Sequence, residues 1–355
     1  MVNFGRELLT RGYTVDLVVV SSVGALKSIV PAGIRIIDLQ SRRMLTALPG
    51  LVAYLRRTEP RAIFSTITHA NLLTAIASRF VSRNVTTVLR QSNAPLAEPK
   101  SSAGIWLSQK LIPHLYQLSD RIIAVSHGVA EQLCTLGPAL SRKISVIPTP
   151  VLSSEVVSLG DEPIDHPWFA PGEPPVVLAA GRLKRHKGYN TLCEAFSLVR
   201  RERPARLVII GEGSDRKEFE QKVKSLNLTR HVDLPGFKAN PFPYMKRAKT
   251  FVLSSQYEGL PNVLIQAMAF GTPVVSTDCE TGPKEILEGG RLGGLVPVGD
   301  ASRMASAIVQ ALDQPKQREA QESVFARFGI SQATTGYLEL AGLGARCEDI
   351  PNSNP

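Results

Sequence analysis

Short apolar runs alternate with amphipathic stretches along almost the whole chain, and this alternation constrains the fold more than any other feature. The apolar runs are typical of buried strands, and the stretches between them repeat apolar residues at helical spacing. The predicted strands are residues 15–20, 63–67, 86–89, 122–125 and 144–147 in the first half and segments near 176, 207, 232, 250, 273 and 294 in the second. The predicted helices of the first half are 51–57, 72–80, 106–118 and 129–136. This order predicts the α/β class, with parallel sheets and right-handed crossovers.

The length of 355 residues fits two domains, each large enough for its own core. A stretch rich in Pro and acidic residues, 148–175, is the predicted connection between them. We therefore expect a first domain over 1–152, a linker over 153–173 and a second domain over 174–328.

The composition is that of an ordinary globular protein, with 43% hydrophobic and 20% charged residues. No apolar run reaches the roughly 20 residues that a membrane-spanning helix needs, and no secretory signal follows Met1. The cysteines are widely spaced and lack a metal-like pairing, which favours reduced thiols in the cytoplasm. They are Cys134, Cys193, Cys279 and Cys347.

The positive charge is concentrated in the first part of the chain. Residues 1–150 carry 17 Lys and Arg against 7 Asp and Glu, whereas the remaining residues carry 24 of each, so the first part holds the whole net charge of +10. This asymmetry predicts an anionic partner for the first domain. An anionic lipid surface or a lipid diphosphate is the preferred partner. Nucleic acid is the rival, but no aromatic platform accompanies the dispersed cations; simple solubility is the third alternative.

A basic segment follows the apolar run Val176–Ala180. It reads Gly181-Arg182-Leu183-Lys184-Arg185-His186-Lys187-Gly188. Four cations and two glycines at the carboxyl end of a strand can surround a diphosphate, because ligands of open α/β sheets bind at that edge. The alternative is a solvated charge run, which leaves the flanking glycines unexplained.

A second candidate segment is Tyr257-Glu-Gly-Leu-Pro-Asn-Val-Leu-Ile-Gln-Ala-Met-Ala-Phe-Gly271. Pro261 suits the first position of a helix and Gly271 suits its end. The free amides at the helix start can hold an anion, and Glu258 beside them can hold sugar hydroxyls. The alternative is an ordinary buried helix preceded by a solvated glutamate.

These segments resemble glycosyltransferase family 4, a retaining family with the GT-B fold. The stretches that carry the resemblance, besides the two above, are Leu207-Val-Ile-Ile-Gly-Glu-Gly213, Leu234-Pro-Gly-Phe237 and Ser276-Thr-Asp-Cys-Glu-Thr-Gly-Pro-Lys-Glu285. The resemblance covers nearly the whole chain and implies two Rossmann-like, doubly wound parallel-sheet domains facing a cleft. It also implies that the segment 329–345 crosses back to the first domain as a helix, before a disordered tail over 346–355.

The resemblance implies a role for each matching residue. Arg182 and Lys187 would neutralise the leaving nucleoside diphosphate, and Glu258 would bind hydroxyls of the donor sugar. The second glutamate of the family motif is replaced by Gln266, whose amide can still hydrogen-bond a ribose diol. The remaining donor-binding candidates are Gly181, Gly211, Gly213, Phe237, Lys238, Gly259, Leu260, Pro261 and Asn262.

No Asp-x-Asp pair occurs in the chain, so we expect no metal and no cofactor. A catalytic base is harder to assign, because Arg90-Gln91-Ser92-Asn93 stands where the family often has a histidine. His69 is the candidate for lining the cleft from the first domain, with a structural role as its alternative. His127 is a more remote candidate, at the predicted start of a helix.

The beginning of the chain departs from the family pattern. Residues 1–17 resemble the first helix and second strand of the family, and the expected first strand with its glycine-rich loop is missing. We expect this loss to open a groove between buried neighbours, and we interpret the chain as truncated; a natural short variant is the alternative.

The sequence therefore predicts a retaining enzyme that moves a hexose-type sugar from a UDP- or GDP-sugar to a cell-surface glycan or lipid-linked acceptor. We expect it in the cytoplasm, peripherally attached to the anionic inner face of the plasma membrane, with no nucleic-acid partner. The alternatives are an inactive nucleotide-sugar-binding remnant and a GT-B epimerase. The sequence leaves the oligomeric state open.

Overall fold

The computed structural model describes residues 1–21, 30–41, 43–81, 84–96 and 103–344. The predicted tail over 346–355, with Cys347, lies outside these residues. The elements of the first domain are α1 (Val2–Thr10), β1 (Asp16–Val19), β2 (Arg35–Asp38), α2 (Leu48–Thr58), β3 (Ala62–Thr66), α3 (Thr68–Ala77), β4 (Thr86–Gln91), α4 (Ala103–Leu115), β5 (Arg121–Ala124), α5 (His127–Leu136) and β6 (Ile144–Val146).

The segment expected as a linker contains a short helix, α6 (Glu155–Leu159). The elements that follow it are β7 (Val176–Ala180), α7 (Tyr189–Glu202), β8 (Arg206–Ile210), α8 (Arg216–Ser225), β9 (Val232–Asp233), α9 (Phe242–Arg247), β10 (Thr250–Leu253), α10 (Asn262–Met268), β11 (Val274–Thr277), α11 (Pro283–Ile286), β12 (Gly294–Val296), α12 (Ala301–Asp313), α13 (Arg318–Phe328) and α14 (Ile330–Leu340).

The second domain is built on one parallel sheet in the strand order β12-β11-β10-β7-β8-β9. Because side chains alternate along a strand, Val177 and Leu178 belong to cores on opposite faces of the sheet. The strand order reverses between β7 and β10, and a doubly wound sheet has its ligand crevice at such a switch point. The predicted doubly wound α/β architecture is confirmed.

The strands of the first domain form two separate parallel sheets. One has the order β3-β4-β5-β6, and the other pairs β1 with β2. Apolar side chains from both sheets, including Val18 and Ile63, share the core under α2. All four residues of β1 are nevertheless partly exposed, whereas five of the six in β4 are buried. No backbone pairing joins the described strands of the two sheets.

Helix α14 returns the chain from the second domain to the first. The ring of Tyr337 lies 5.1 Å from that of Phe4 and 6.2 Å from that of Phe64. The fully buried Tyr337 also accepts a hydrogen bond from Arg90 Nε at 2.9 Å. Helix α14 therefore becomes part of the first domain's core. Within the described ranges, no helix has the length and apolar character needed to cross a bilayer.

Candidate active site

Two loops meet at the switch point, one following β7 and the other following β10. Gly188 has φ +67°, and a Cβ at this position would overlap the carbonyl oxygen of Ser254. Ser254 Oγ donates to the carbonyl of Lys187 at 2.7 Å, and the Gln256 amide donates to the carbonyl of His186 at 2.7 Å. Glycine at 188 therefore allows the two backbones to touch.

This contact brings together two of the charged residues proposed from the sequence to bind the donor. Lys187 Nζ lies 2.6 Å from Glu258 Oε1, and the same oxygen accepts a hydrogen bond from Ser255 Oγ at 2.6 Å. The side chains of Lys187 and Glu258 are only 16% and 12% exposed. Poor access to solvent leaves this pair little screened by salt.

The other cations of the basic segment have different surroundings. Lys184 Nζ donates to Ser214 Oγ at 2.9 Å, and Arg185 forms an ion pair with Glu218 at 2.8 Å. Arg182 is exposed and makes no side-chain hydrogen bond or ion pair with any residue that the structure describes. Its guanidinium is therefore available to a ligand.

An aromatic stack lies beside the ion pair. The rings of His186 and Tyr257 are 4.9 Å apart and inclined by only 18°. Burial lowers the pKa of His186 below its usual 6.5, and the charge of Lys187 lowers it further. His186 directly precedes Lys187, and Tyr257 directly precedes Glu258. The stacked rings therefore also hold together the two loops that carry the ion pair.

Two glycines among the donor-binding candidates allow close packing of backbones at this edge of the sheet. Gly211 has φ +143°, and a Cβ there would overlap the carbonyl of Gly181. A Cβ on Gly213 would overlap the carbonyl of Leu183 in the same way. These glycines let the loop after β8 pack on the loop after β7, which places both at the crevice.

Phe237 and Lys238 follow the turn after β9. The amide of Gly211 donates to the carbonyl of Gly236 at 3.0 Å, so this turn adjoins the loop after β8. Phe237 is 72% exposed, whereas the ammonium of Lys238 lies 5.9 Å from the ring of Tyr244. The turn therefore offers an exposed apolar ring at the border of the site.

The remaining donor candidates lie at the start of α10. This helix begins at Asn262, so Pro261 precedes the helix and does not occupy its first position. Leu260 and Pro261 are buried, Asn262 is exposed and Gln266 is partly exposed. A Cβ on Gly259 would overlap the carbonyl of Ser92 in the first domain. The loop of Glu258 therefore presses directly against the opposite domain.

The first domain contributes a small cavity to this region. Its volume is about 120 Å³, and it is lined by Ile67, Thr68, His69, Asn93, Pro95, Ser108, Gln109 and Ile112. His69 lies at the start of α3 and is exposed. Asn93 follows Ser92, the residue against which Gly259 packs. His69 thus belongs to the wall opposite the donor candidates, and the structure brings it into no contact with Glu258.

His127 lies at the second contact between the domains. It is the first residue of α5, and its backbone amide donates to Glu285 Oε2 of the second domain at 2.9 Å. Ser126 Oγ donates to the carbonyl of Gly259 at 3.1 Å. The imidazole of His127 makes no hydrogen bond with the residues that the structure covers.

Two family models together match most of the chain. The model described as Glycosyltransferase Family 4 matches residues 1–153, and the model described as Glycosyl transferases group 1 matches residues 161–323. The chain belongs to glycosyltransferase family 4. The resemblance found in the sequence is confirmed.

Named relatives of this family 4 chain include proteins of bacterial glycan synthesis. It is 31% identical over 230 residues to the lipopolysaccharide core biosynthesis glycosyltransferase LpsE of Rhizobium meliloti, covering 63% of this chain and 65% of that protein. It is 27% identical over 247 residues to N-acetylgalactosamine-N,N'-diacetylbacillosaminyl-diphospho-undecaprenol 4-alpha-N-acetylgalactosaminyltransferase of Campylobacter jejuni, covering 69% and 66%. The matches span about half to two thirds of such relatives.

Solved structures show the same fold at lower identity. Anabaena HepE in complex with UDP-glucose has a TM-score of 0.77 at 19% identity, covering 96% of this chain and 95% of that one. Sucrose-phosphate synthase from Thermosynechococcus elongatus has a TM-score of 0.76 at 21% identity, covering 95% and 90%. The expected GT-B fold is confirmed.

Some site features of this family 4 protein were missed from the sequence. The stack of His186 on Tyr257 and the contact of Glu285 with α5 both join residues distant along the chain. The only sequence signal for Tyr257 was its position directly before Glu258 in the segment 257–271. Glu285 is the last residue of the matching stretch 276–285, but the sequence suggested no role for it.

Proposed function

We propose that this protein transfers a hexose-type sugar from a UDP- or GDP-sugar to a glycan or lipid-linked acceptor, with retention of the anomeric configuration. The observation that carries the proposal is the Lys187–Glu258 pair, with Nζ and Oε1 2.6 Å apart at the switch point of the second sheet. It supplies a cation for a diphosphate and a carboxylate for sugar hydroxyls at one place. The resemblance to HepE, whose structure contains UDP-glucose, supports a nucleotide-sugar donor.

In this proposal the positive charge needed by the leaving group comes from side chains. Negative charge grows on the diphosphate as the sugar departs, and Arg182 and Lys187 stabilise it. Arg182 offers a fork of donors and Lys187 a compact ammonium. The reaction so formulated requires no metal or cofactor. Gln266 and Phe237 are proposed to contact the ribose and the base.

The proposed acceptor is a lipid-linked or surface glycan. The names of the two curated relatives refer to lipopolysaccharide core biosynthesis and to a diphospho-undecaprenol substrate. The excess of positive charge in residues 1–150 supports an anionic acceptor or surface on the same side. His69 and the cavity it lines are proposed to face that acceptor.

We also propose peripheral attachment to the inner face of an anionic membrane. Helix α4 exposes 47% of Trp106 and 50% of Leu107, and Lys110 Nζ lies 4.0 Å from the Trp106 ring. Apolar side chains next to a cation suit a headgroup region, where the ring enters the interface and the ammonium meets phosphate.

The assignment of the diphosphate is tested with Arg182→Ala and Lys187→Ala. We expect each to lower turnover with UDP- or GDP-hexoses by about 100-fold or more, as loss of a transition-state donor does. Arg182 makes no side-chain hydrogen bond or ion pair within the described residues, so its variant should keep the wild-type melting temperature. Lys187→Ala leaves Glu258 without its ion-pair partner and should melt earlier. Arg318→Ala, which removes an arginine with a 90% exposed side chain, is the control. Wild-type turnover in both site variants would refute the assignment.

A second candidate is a protein that binds nucleotide sugars without transferring them. The division of the first domain's strands into two separate sheets favours it, because that domain is proposed to hold the acceptor. Titration calorimetry with UDP- and GDP-sugars beside a turnover assay separates the two: binding without transfer favours this candidate. Incubation with donor alone tests the epimerase alternative, which would yield a new sugar nucleotide.

A further inference from the structure

The segment 281–285 of the second domain touches both the loop of Glu258 and the first domain. Thr281 Oγ1 donates to the carbonyl of Glu258. A Cβ on Gly282, which has φ +91°, would lie 2.7 Å from Pro261 Cδ. Glu285 Oε2 accepts from the first amide of α5 in the first domain at 2.9 Å. One short segment therefore connects the sugar-binding carboxylate proposed above to the opposite wall of the cleft.

The contact at α5 suits a carboxylate. The first amides of a helix lack partners within the helix, and the helix dipole places positive charge there. Ser126 Oγ accepts from the Val129 amide at 3.3 Å, which leaves the amide of His127 for Glu285. Next to it, a Cβ on Gly128 would lie 2.7 Å from Thr281 Cγ2, so the surfaces approach closely around this hydrogen bond.

Hydrogen bonds within the second domain also fix the position of Glu285. Arg327 of α13 donates to the carbonyl of Glu285 at 2.8 Å and to the carbonyl of Ile286 at 3.2 Å. Arg327 also forms an ion pair with Glu288 at 3.1 Å. Arg327 thus fixes the short helix α11 to α13 and holds the carboxylate of Glu285 toward the first domain.

We propose that Glu285 is a positioning residue that latches the two domains together. Its carboxylate binds the N-terminus of α5 and so holds the first domain's wall, with Asn93 and the cavity of His69, against the loop of Glu258. Only the effect of this latch on turnover rests on the proposed function. The latch itself is a property of the domain contact and can be measured without any substrate.

The latch is tested with a reporter thiol. Ser126 is fully buried, and its Oγ lies 3.1 Å from the Gly259 carbonyl. In Ser126→Cys, alkylation by N-ethylmaleimide should occur mainly when the cleft opens, and peptide mass spectrometry separates this thiol from the natural ones. Gly259→Ala, whose Cβ overlaps Ser92, provides the open reference. Adding Glu285→Ala should raise the alkylation rate about tenfold, because a hydrogen bond to a charged group is lost. Glu285→Gln keeps an acceptor oxygen and should give a smaller rise.

Glu280→Ala is the matched control, since Glu280 is an exposed acid five positions earlier. It should leave the alkylation rate unchanged. An equal alkylation rate with and without the Glu285→Ala substitution would overturn the latch, as would an equal rise in the Glu280 control.

A crosslink tests the contact independently. A Cβ at 128 would lie 3.1 Å from that of Thr281, slightly less than the about 3.5 Å lower limit of a relaxed disulfide, so a small backbone shift would allow the bond. Gly128→Cys with Thr281→Cys should form an interdomain disulfide with oxidised glutathione, and failure to do so would contradict the contact. Calorimetry with UDP and with GDP on wild type and Glu285→Ala completes the test. Absent binding of both nucleotides to the wild type would refute the proposed function, whereas the alkylation and crosslinking results would still decide the latch.

Discussion

Lys187 and Glu258 satisfy each other's charge at the place where a charged substrate is proposed to bind. A poorly solvated charge left without a partner is costly, so each residue has a reason to hold the other before the donor arrives. A diphosphate offers the ammonium a second anion, and sugar hydroxyls offer donors to the carboxylate. The donor can therefore add to the contacts of this pair without leaving either charge exposed to an apolar environment.

His186 predicts a pH dependence of stability. Burial, with a further contribution from Lys187, lowers its pKa in the folded protein below the usual 6.5. As the pH falls below about 6.5, the unfolded chain binds this proton more readily than the fold does, so stability is lost on acidification. His186→Phe keeps a ring on Tyr257 but cannot titrate. We expect its melting temperature to fall less than that of wild type between pH 7.5 and pH 5, and parallel curves would contradict this.

From the sequence, candidate site residues could be named, whereas their contacts could not. Lys187 could be proposed because its segment follows an apolar strand, and Glu258 because it lies beside the predicted start of a helix. The partner of Glu285 could not be proposed, since it is a backbone amide 158 positions away in the other domain. The side-chain type carries no information about such a partner.

Among the elements, the two-stranded sheet β1–β2 stands apart from the rest of the first domain. Among the residues that the structure describes, its ladder of hydrogen bonds joins these two strands alone, and a two-stranded unit is marginally stable on its own. We expect its amides to exchange with deuterium roughly 100-fold faster than those of β4 and β5, because local opening requires few bonds to break. Exchange mass spectrometry on peptic fragments measures both in one sample. Equal protection of the two sheets would refute the expectation.

The elements most easily predicted were those with strong apolar patterns. β7 and β8 are almost entirely apolar and buried, and both were predicted. β2 was missed because Arg35-Ile-Ile-Asp38 has only two apolar residues between charges. Helix α6 was missed within a stretch whose prolines and acids indicated a linker. Tertiary contacts decide such short, polar segments, and a local pattern does not contain them.

For the whole molecule, the uneven charge and the exposed face of α4 lead to one prediction about membranes. We expect the protein to sediment with vesicles of phosphatidylglycerol and phosphatidylcholine but not with phosphatidylcholine alone. Raising NaCl from 0.1 to 0.5 M should weaken binding at least about tenfold, because the Debye length shortens and each cation contributes only about 1 kcal/mol.

The apolar part of that contact is tested by replacing Trp106 and Leu107 together with Ser. We expect binding to anionic vesicles to fall about tenfold, because the two exposed side chains no longer enter the interface while the charge is unchanged. Val298→Ser removes an apolar residue that is 43% exposed in residues 151–355, the part of the chain whose charges balance as a whole, and should have no effect. If the Val298 variant weakens binding as much as the α4 variant, the membrane does not select the first domain. Unchanged binding of the α4 variant would leave attraction by charge alone and would exclude α4 as the contacting helix.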